Sequence, residues 1–213
     1  MIKPQWNNPK FLEEAFSSSS HLVGALLSLA ALVIMVVYSS FTGDAWKIVS
    51  YSIYGVSLVF LYSASALYHG SGSKSRLFFN KLDHAAIYIL IAGTYTPYTL
   101  VPLRGGWGWS IFGVIWGLAI AGVIFKLFYY KHKWRAFSTI VYLLMGWIVV
   151  IAINPLFKNL SKESLLWLAA GGVFYSSGVI FYFYKKIPFG HGIWHLFVLG
   201  GSLCHFISIF FYL

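Results

Sequence analysis

Seven apolar runs, each long enough to cross a bilayer, follow one another with only short breaks between them, at roughly residues 19–38, 46–68, 83–102, 107–129, 137–153, 164–184 and 190–213. About 20 apolar residues span the hydrocarbon core as a helix. In that medium only helices and closed barrels satisfy their own backbone N–H and C=O groups. Runs of this length are too long for barrel strands. The chain is therefore predicted to be all-α, an integral membrane bundle of seven transmembrane helices over residues 19–213. Composition agrees: 9% of residues are charged, against roughly 25% in a soluble domain. So few charges cannot cover a water-facing surface.

The breaks carry turn residues, among them Thr42-Gly43-Asp44, Gly70-Ser71-Gly72, Arg104-Gly105-Gly106, Asn154-Pro155 and Ile187-Pro188. Every break is short, so consecutive helices are expected to be neighbours. Residues 1–18 are polar and lack the pattern of a cleaved signal peptide. Trp6, Phe11, Leu12 and Phe16 suit a short helix in this segment, lying at the cytoplasmic interface. Gly113, Gly117 and Ala121 repeat a small residue every four positions, which predicts close helix packing in the fourth run. Pro97 predicts a kink in the third.

The net charge of +10 would suggest nucleic acid if it formed one block. Instead the lysines and arginines cluster between the apolar runs, which excludes nucleic acid as a partner and points to loops facing anionic lipid. The side holding the N-terminus has eleven: Lys3, Lys10, Lys74, Arg76, Lys81, Lys126, Lys131, Lys133, Arg135, Lys185 and Lys186. The other side has four: Lys47, Arg104, Lys158 and Lys162. This bias predicts a multi-pass protein of the cell membrane with its N-terminus in the cytoplasm and its C-terminus outside. The single cysteine, Cys204, excludes an intrachain disulfide and a cysteine-based metal site.

Ionisable groups within a membrane are costly, and each asks for a reason. His191 and His195 stand four apart at the start of the seventh run, so they share a helix face and both reach one metal. Ser65 and His69 are four apart at the end of the second run, and Asp83 opens the third. Glu14, Ser17 and His21 form one stripe at the start of the first. With alternating helix directions all of these groups fall at one depth, the cytoplasmic end. Three histidines with an open fourth position suit a catalytic zinc, although the residue types fit any imidazole-binding divalent ion. Asp83 is the expected proton acceptor, and Ser65 the expected hydrogen-bonding group near the metal. His84, His205 and the loop residue His132 have no matched partner and are expected to be structural or solvated.

These motifs resemble the hemolysin III family, the bacterial branch of the progestin and adipoQ receptor superfamily. The resemblance runs from Glu14 to His195. The family's Glu-x-x-Asn-x-x-x-His motif matches Glu14, Ser17 and His21, with serine replacing asparagine. Its Ser-x-x-x-His motif with a following Asp matches Ser65, His69 and Asp83, and its His-x-x-x-His motif matches His191 and His195. The resemblance implies zinc held by His69, His191 and His195, with Asp83 beside the water that the metal activates. It also implies kinship with alkaline ceramidases.

Two functions are expected from this reading. The first is a zinc-dependent, ceramidase-like hydrolase acting on a lipid amide or ester at the cytoplasmic leaflet, with membrane lipids as its partners and its substrate source. The second is a hemolysin-like cytolytic protein, or a receptor-like regulator of membrane lipid homeostasis, with a structural zinc. Cytolysis gains little from the residues themselves. A secreted pore-former needs a soluble form, and the polar groups cluster at one depth and do not line a full-height path.

Overall fold

The computed structural model describes residues 8–129, 132–184 and 186–213. Among them there are helices and turns only: α1 (Pro9–Thr42), α2 (Ala45–Gly70), α3 (Ser73–Leu100), α4 (Gly106–Ile124), α5 (Arg135–Trp147), α6 (Ile153–Asn159), α7 (Lys162–Phe183) and α8 (Gly190–Tyr212). A π-helical turn, Phe125–Tyr129, continues α4, and a 3-10 turn, Ile148–Ala152, joins α5 to α6. The joined stretch Arg135–Asn159 forms one span, and among the described residues six spans have both the length and the apolarity to cross a membrane. The chain is thus an all-helical, multi-pass membrane protein.

Local chemistry explains where the helices begin and end. The side chain of Asn8 accepts the N–H of Lys10 at 3.0 Å, and Pro9 opens α1 where its missing N–H costs nothing. Gly43 closes α1 in the left-handed conformation (φ 67°) that glycine adopts without strain. Asp44 then caps α2 by accepting the N–H of Trp46 at 2.9 Å. Helix α1 is continuous from Pro9, so Phe11, Leu12 and Phe16 belong to the same helix as the first span. Trp6 lies outside the described residues, as do Lys3, Lys131 and Lys185.

Helix α3 falls outside those six spans. Its 28 residues reach about 42 Å at 1.5 Å per residue, but Thr94, Tyr95, Thr96, Tyr98 and Thr99 keep it from being uniformly apolar. All five are buried, because α3 packs against α2, α4, α5 and α8 and meets little lipid. The threonine hydroxyls bond back to carbonyls of their own helix, Thr94 to Leu90 and Thr96 to Ala92, both at 2.8 Å. Helix α3 continues through Pro97 to Leu100. The hydroxyl of Tyr95 donates to the carbonyls of Met145 and Gly146 (2.9 and 2.8 Å) and accepts the N–H of Val149 (2.8 Å). A side chain inserted into the helical ladder explains why α5 gives way to a 3-10 turn at Ile148.

Lipid as solvent turns α1 inside out. Its buried positions are Ser17, His21, Gly24, Ser28, Met35 and Ser39, whereas Leu22, Val23, Leu26, Leu27, Val33 and Ile34 are exposed. Small and polar residues let neighbouring helices approach and bond, and apolar side chains meet the acyl chains at no cost. Across the bundle, three buried tyrosines of α2 reach α8. Tyr51 donates to the carbonyl of Ile209 (2.8 Å), Tyr54 to that of Ser202 (3.3 Å), and Tyr62 to that of Val198 (3.3 Å) and to Ser202 Oγ (2.7 Å). These bonds set the register of the two helices that carry the predicted metal ligands.

The small-residue stripe of α4 does not pack as expected. Gly113, Gly117 and Ala121 are exposed, and the helix is buried through Ile111, Ile115, Ala119 and Gly122. Spacing alone does not say which face of a uniformly apolar helix turns inward. Tight contacts lie at Gly122, against the Tyr88 ring, and at Gly108, where a Cβ would stand 2.2 Å from the Thr99 carbonyl oxygen and 2.5 Å from that of Leu103. Gly108→Ala is therefore expected to cost about 1–3 kcal/mol, read as a lower melting temperature in detergent. Gly113→Ala and Gly117→Ala, with nothing within 4 Å of the added methyl, should stay within about 0.5 kcal/mol of the parent.

Candidate metal centre

The last turn of α2 and the first two turns of α8 meet at one end of the bundle. His69 Nε2 lies 3.2 Å from His191 Nε2, which lies 3.2 Å from His195 Nε2. The three ligating atoms all fall within 4.8 Å of one another. For a metal–nitrogen bond of about 2.0–2.1 Å, the edges of a tetrahedral zinc site are roughly 3.3 Å long. The imidazole donor set and the two 3.2 Å separations suit such a metal ion, while the set as a whole spans up to 4.8 Å. Among the described residues no fourth His, Cys, Asp or Glu joins the group. His195 is wholly buried and His69 nearly so.

Helix α1 closes the site from the side. Its inward face brings His21 against His195, with ring centroids 3.6 Å apart and planes 13° from parallel. His21 is buried, and neither ring nitrogen has a hydrogen-bond partner among the described residues. One turn earlier Ser17 is buried too, its hydroxyl likewise unpartnered. Glu14 Oε2 accepts from His69 Nδ1 at 2.8 Å, and Arg76 of α3 donates to the other oxygen of Glu14. Glu13 Oε1 accepts the backbone N–H of His191 at 3.1 Å, which serves one of the free N–H groups at the start of α8.

Two cavities lie near the cluster; His69 and His191 line the smaller, and none of the three histidines lines the larger. The smaller, about 130 Å³, is polar and bounded by Glu13, Glu14, Ser17, Tyr68, His69 and His191. The larger, about 140 Å³, is mostly apolar; Leu61, Ile87, Ile91 and Val198 stand in its wall with His21 and Asp83. Asp83 is buried there, 3.6 Å from His84 Nδ1. Since α3 begins at Ser73, Asp83 is ten residues inside its helix and does not open it. Ser65 is buried on α2 one turn before His69 and belongs to neither cavity wall. The structure therefore brings His69, His191, His195, Glu14, Ser17 and His21 together, and places Asp83 in the cavity it shares with His21.

His84 and His205 stand outside the cluster, and both line the larger cavity. His84 Nδ1 donates to the Asn80 carbonyl at 2.9 Å, and His205 Nε2 to that of Leu168 at 3.2 Å. The side chain of His132 lies outside the described residues. Three participants escape motif reading. Glu13 and Arg76 act only through contacts between distant helices. Lys126, counted above among the loop charges, is buried in the π turn, its ammonium 5.6 Å from the centroid of the Tyr142 ring. Its place as a lone lysine within the apolar run 107–129 was the available signal.

Comparison with known proteins identifies the family. The model of the family described as "Haemolysin-III related" matches residues 10–206. "Hemolysin-3" of Bacillus cereus is 47% identical over 201 residues, covering 94% of this chain and 91% of its own. "Hemolysin-3 homolog" of Bacillus subtilis (strain 168) is 46% identical, covering 94% of each. The human "Monocyte to macrophage differentiation factor" is 32% identical over 219 residues, covering 96% of this chain and 86% of its own. A family match over residues 10–206, with all three histidines of the cluster inside it, shows that this chain belongs to the hemolysin III family within the progestin and adipoQ receptor superfamily.

Proposed function

We propose that this protein binds zinc through His69, His191 and His195 and hydrolyses a lipid amide or ester drawn from the cytoplasmic leaflet. The observation that carries this reading is the convergence of three imidazole Nε2 atoms beside a mostly apolar cavity holding a buried carboxylate. Zinc in such a setting polarises a carbonyl and acidifies water. The chain's own groups do the rest. Leu61, Ile87, Ile91 and Val198 form a wall suited to an acyl chain. Asp83 accepts a proton from the attacking water, whereas Ser65, which lines neither cavity, is left to the packing of α2 one turn before His69. The test is elemental analysis of detergent-purified protein together with a hydrolysis screen against ceramides, phospholipids and acyl amides. One zinc per chain with turnover supports the proposal; an absence of metal overturns it.

A structural zinc is the second reading. It is favoured by the origin of the ligands at the ends of two helices that a metal would tie together. In that case chelation lowers the melting temperature and no lipid is hydrolysed.

The proposed orientation places the histidine cluster in the cytoplasmic half. Support comes from Lys74, Arg76, Lys133 and Lys186, all near that end of the bundle, against Lys47, Arg104, Lys158 and Lys162 near the other. A reporter fused to the C-terminus should be active only if it functions outside the cell. Activity of a cytoplasm-only reporter there would reverse the map.

A further inference from the structure

We infer that Glu14, held by Arg76, is a positioning residue for the metal centre: it fixes the proton of His69 on Nδ1 and so turns Nε2 toward His191 and His195. The inference rests on the zinc reading above. An ionised carboxylate only accepts hydrogen bonds. At 2.8 Å from Glu14 Oε2, His69 Nδ1 must therefore be the donor. A neutral imidazole then has its lone pair on Nε2, the atom 3.2 Å from His191 Nε2. Arg76 takes the second oxygen of Glu14, which fixes the carboxylate plane. The Arg76 guanidinium lies 4.9 Å from the centroid of the Tyr68 ring, and that ring lies 4.6 Å from the His69 ring. The carboxylate, the imidazole and the guanidinium come from α1, α2 and α3, so three helix ends meet on one ligand.

The other ligands lack this support. His195 Nδ1 is buried and has no partner among the described residues. Glu13, next in the chain to Glu14, accepts a backbone N–H at His191 and leaves that ring untouched. Of the interactions seen around the cluster, the carboxylate–imidazole bond is made to His69 alone, which makes His69 the pre-oriented ligand. Close packing of α1 serves the same end. Ser18 Oγ donates to the Ala66 carbonyl at 3.0 Å, and a Cβ on Gly192 would stand 2.7 Å from Phe16. Both contacts lie in the turn that follows Glu14 and pack it against α2 and α8.

The experiment is a zinc titration of the full chain in detergent against a chromophoric chelator, with apo melting temperatures and cobalt absorption spectra recorded in parallel. Glu14→Ala should weaken zinc binding about 10–100-fold, the usual effect of losing an outer partner of a ligating histidine. One ion per chain should still bind at saturation. Glu14→Gln keeps a carbonyl acceptor for Nδ1–H, so its loss should be smaller. Arg76→Ala should weaken binding less than Glu14→Ala, and the double variant should match Glu14→Ala, because Arg76 acts through Glu14. The cobalt ligand-field bands should shift in Glu14→Ala, while the apo melting temperature of Glu14→Gln stays at that of the parent. Parent-like zinc affinity in Glu14→Ala overturns the inference and leaves the zinc reading standing, as does a loss that appears equally in the apo melting temperature of both Glu14 variants. A parent protein that takes up neither zinc nor cobalt overturns both.

Discussion

His195→Ala is expected to strip zinc from the purified protein. His195 is wholly buried, and its Nε2 lies 3.2 Å from His191 Nε2. Two remaining imidazoles leave half of a tetrahedral shell to solvent that the buried site admits poorly. The loss should exceed the 10–100-fold typical of an outer partner, and elemental analysis should read far below one zinc per chain. His69→Ala and His191→Ala should behave alike. His84→Ala and His205→Ala should retain zinc, since their rings bond to the carbonyls of Asn80 and Leu168. Full occupancy after loss of His195 would refute the ligand set.

Asp83→Asn is expected to keep the metal and the fold while hydrolysis falls by roughly 10²–10⁴-fold. The amide preserves the shape of the side chain but does not accept a proton at neutral pH. Asp83 is not among the ligating groups; it stands in the wall of the larger cavity with His21, whose ring lies against His195. A carboxylate so placed is free to handle protons without competing for the ion. Lipid hydrolysis in the parent, lost in Asp83→Asn at unchanged zinc content, would establish the role. Equal turnover in both would remove Asp83 from the chemistry. A parent with no turnover on any lipid, whose melting temperature falls on chelation, would favour the structural zinc.

The spans and the three clustered histidines were readable because their signals are local. Twenty apolar residues in a row demand a helix in lipid whatever surrounds them. Histidines four apart share a face of any helix. His69, His191 and His195 could thus be assembled from their places near span ends, and the structure brings their nitrogens together. The tertiary arrangement decided what depends on which face each helix shows its neighbours. In water, polarity marks the outer face. In lipid it does not, because apolar residues suit both lipid and core. The stripe Gly113, Gly117 and Ala121 therefore looked like a packing seam and turned out exposed. Helix α3 owes its polar run to enclosure by other helices, which composition does not reveal. Glu14 lies 62 residues from Arg76 and 55 from His69. No spacing rule links them, and only the folding of α1 over the ends of α2 and α3 places one carboxylate between a guanidinium and a ligating imidazole.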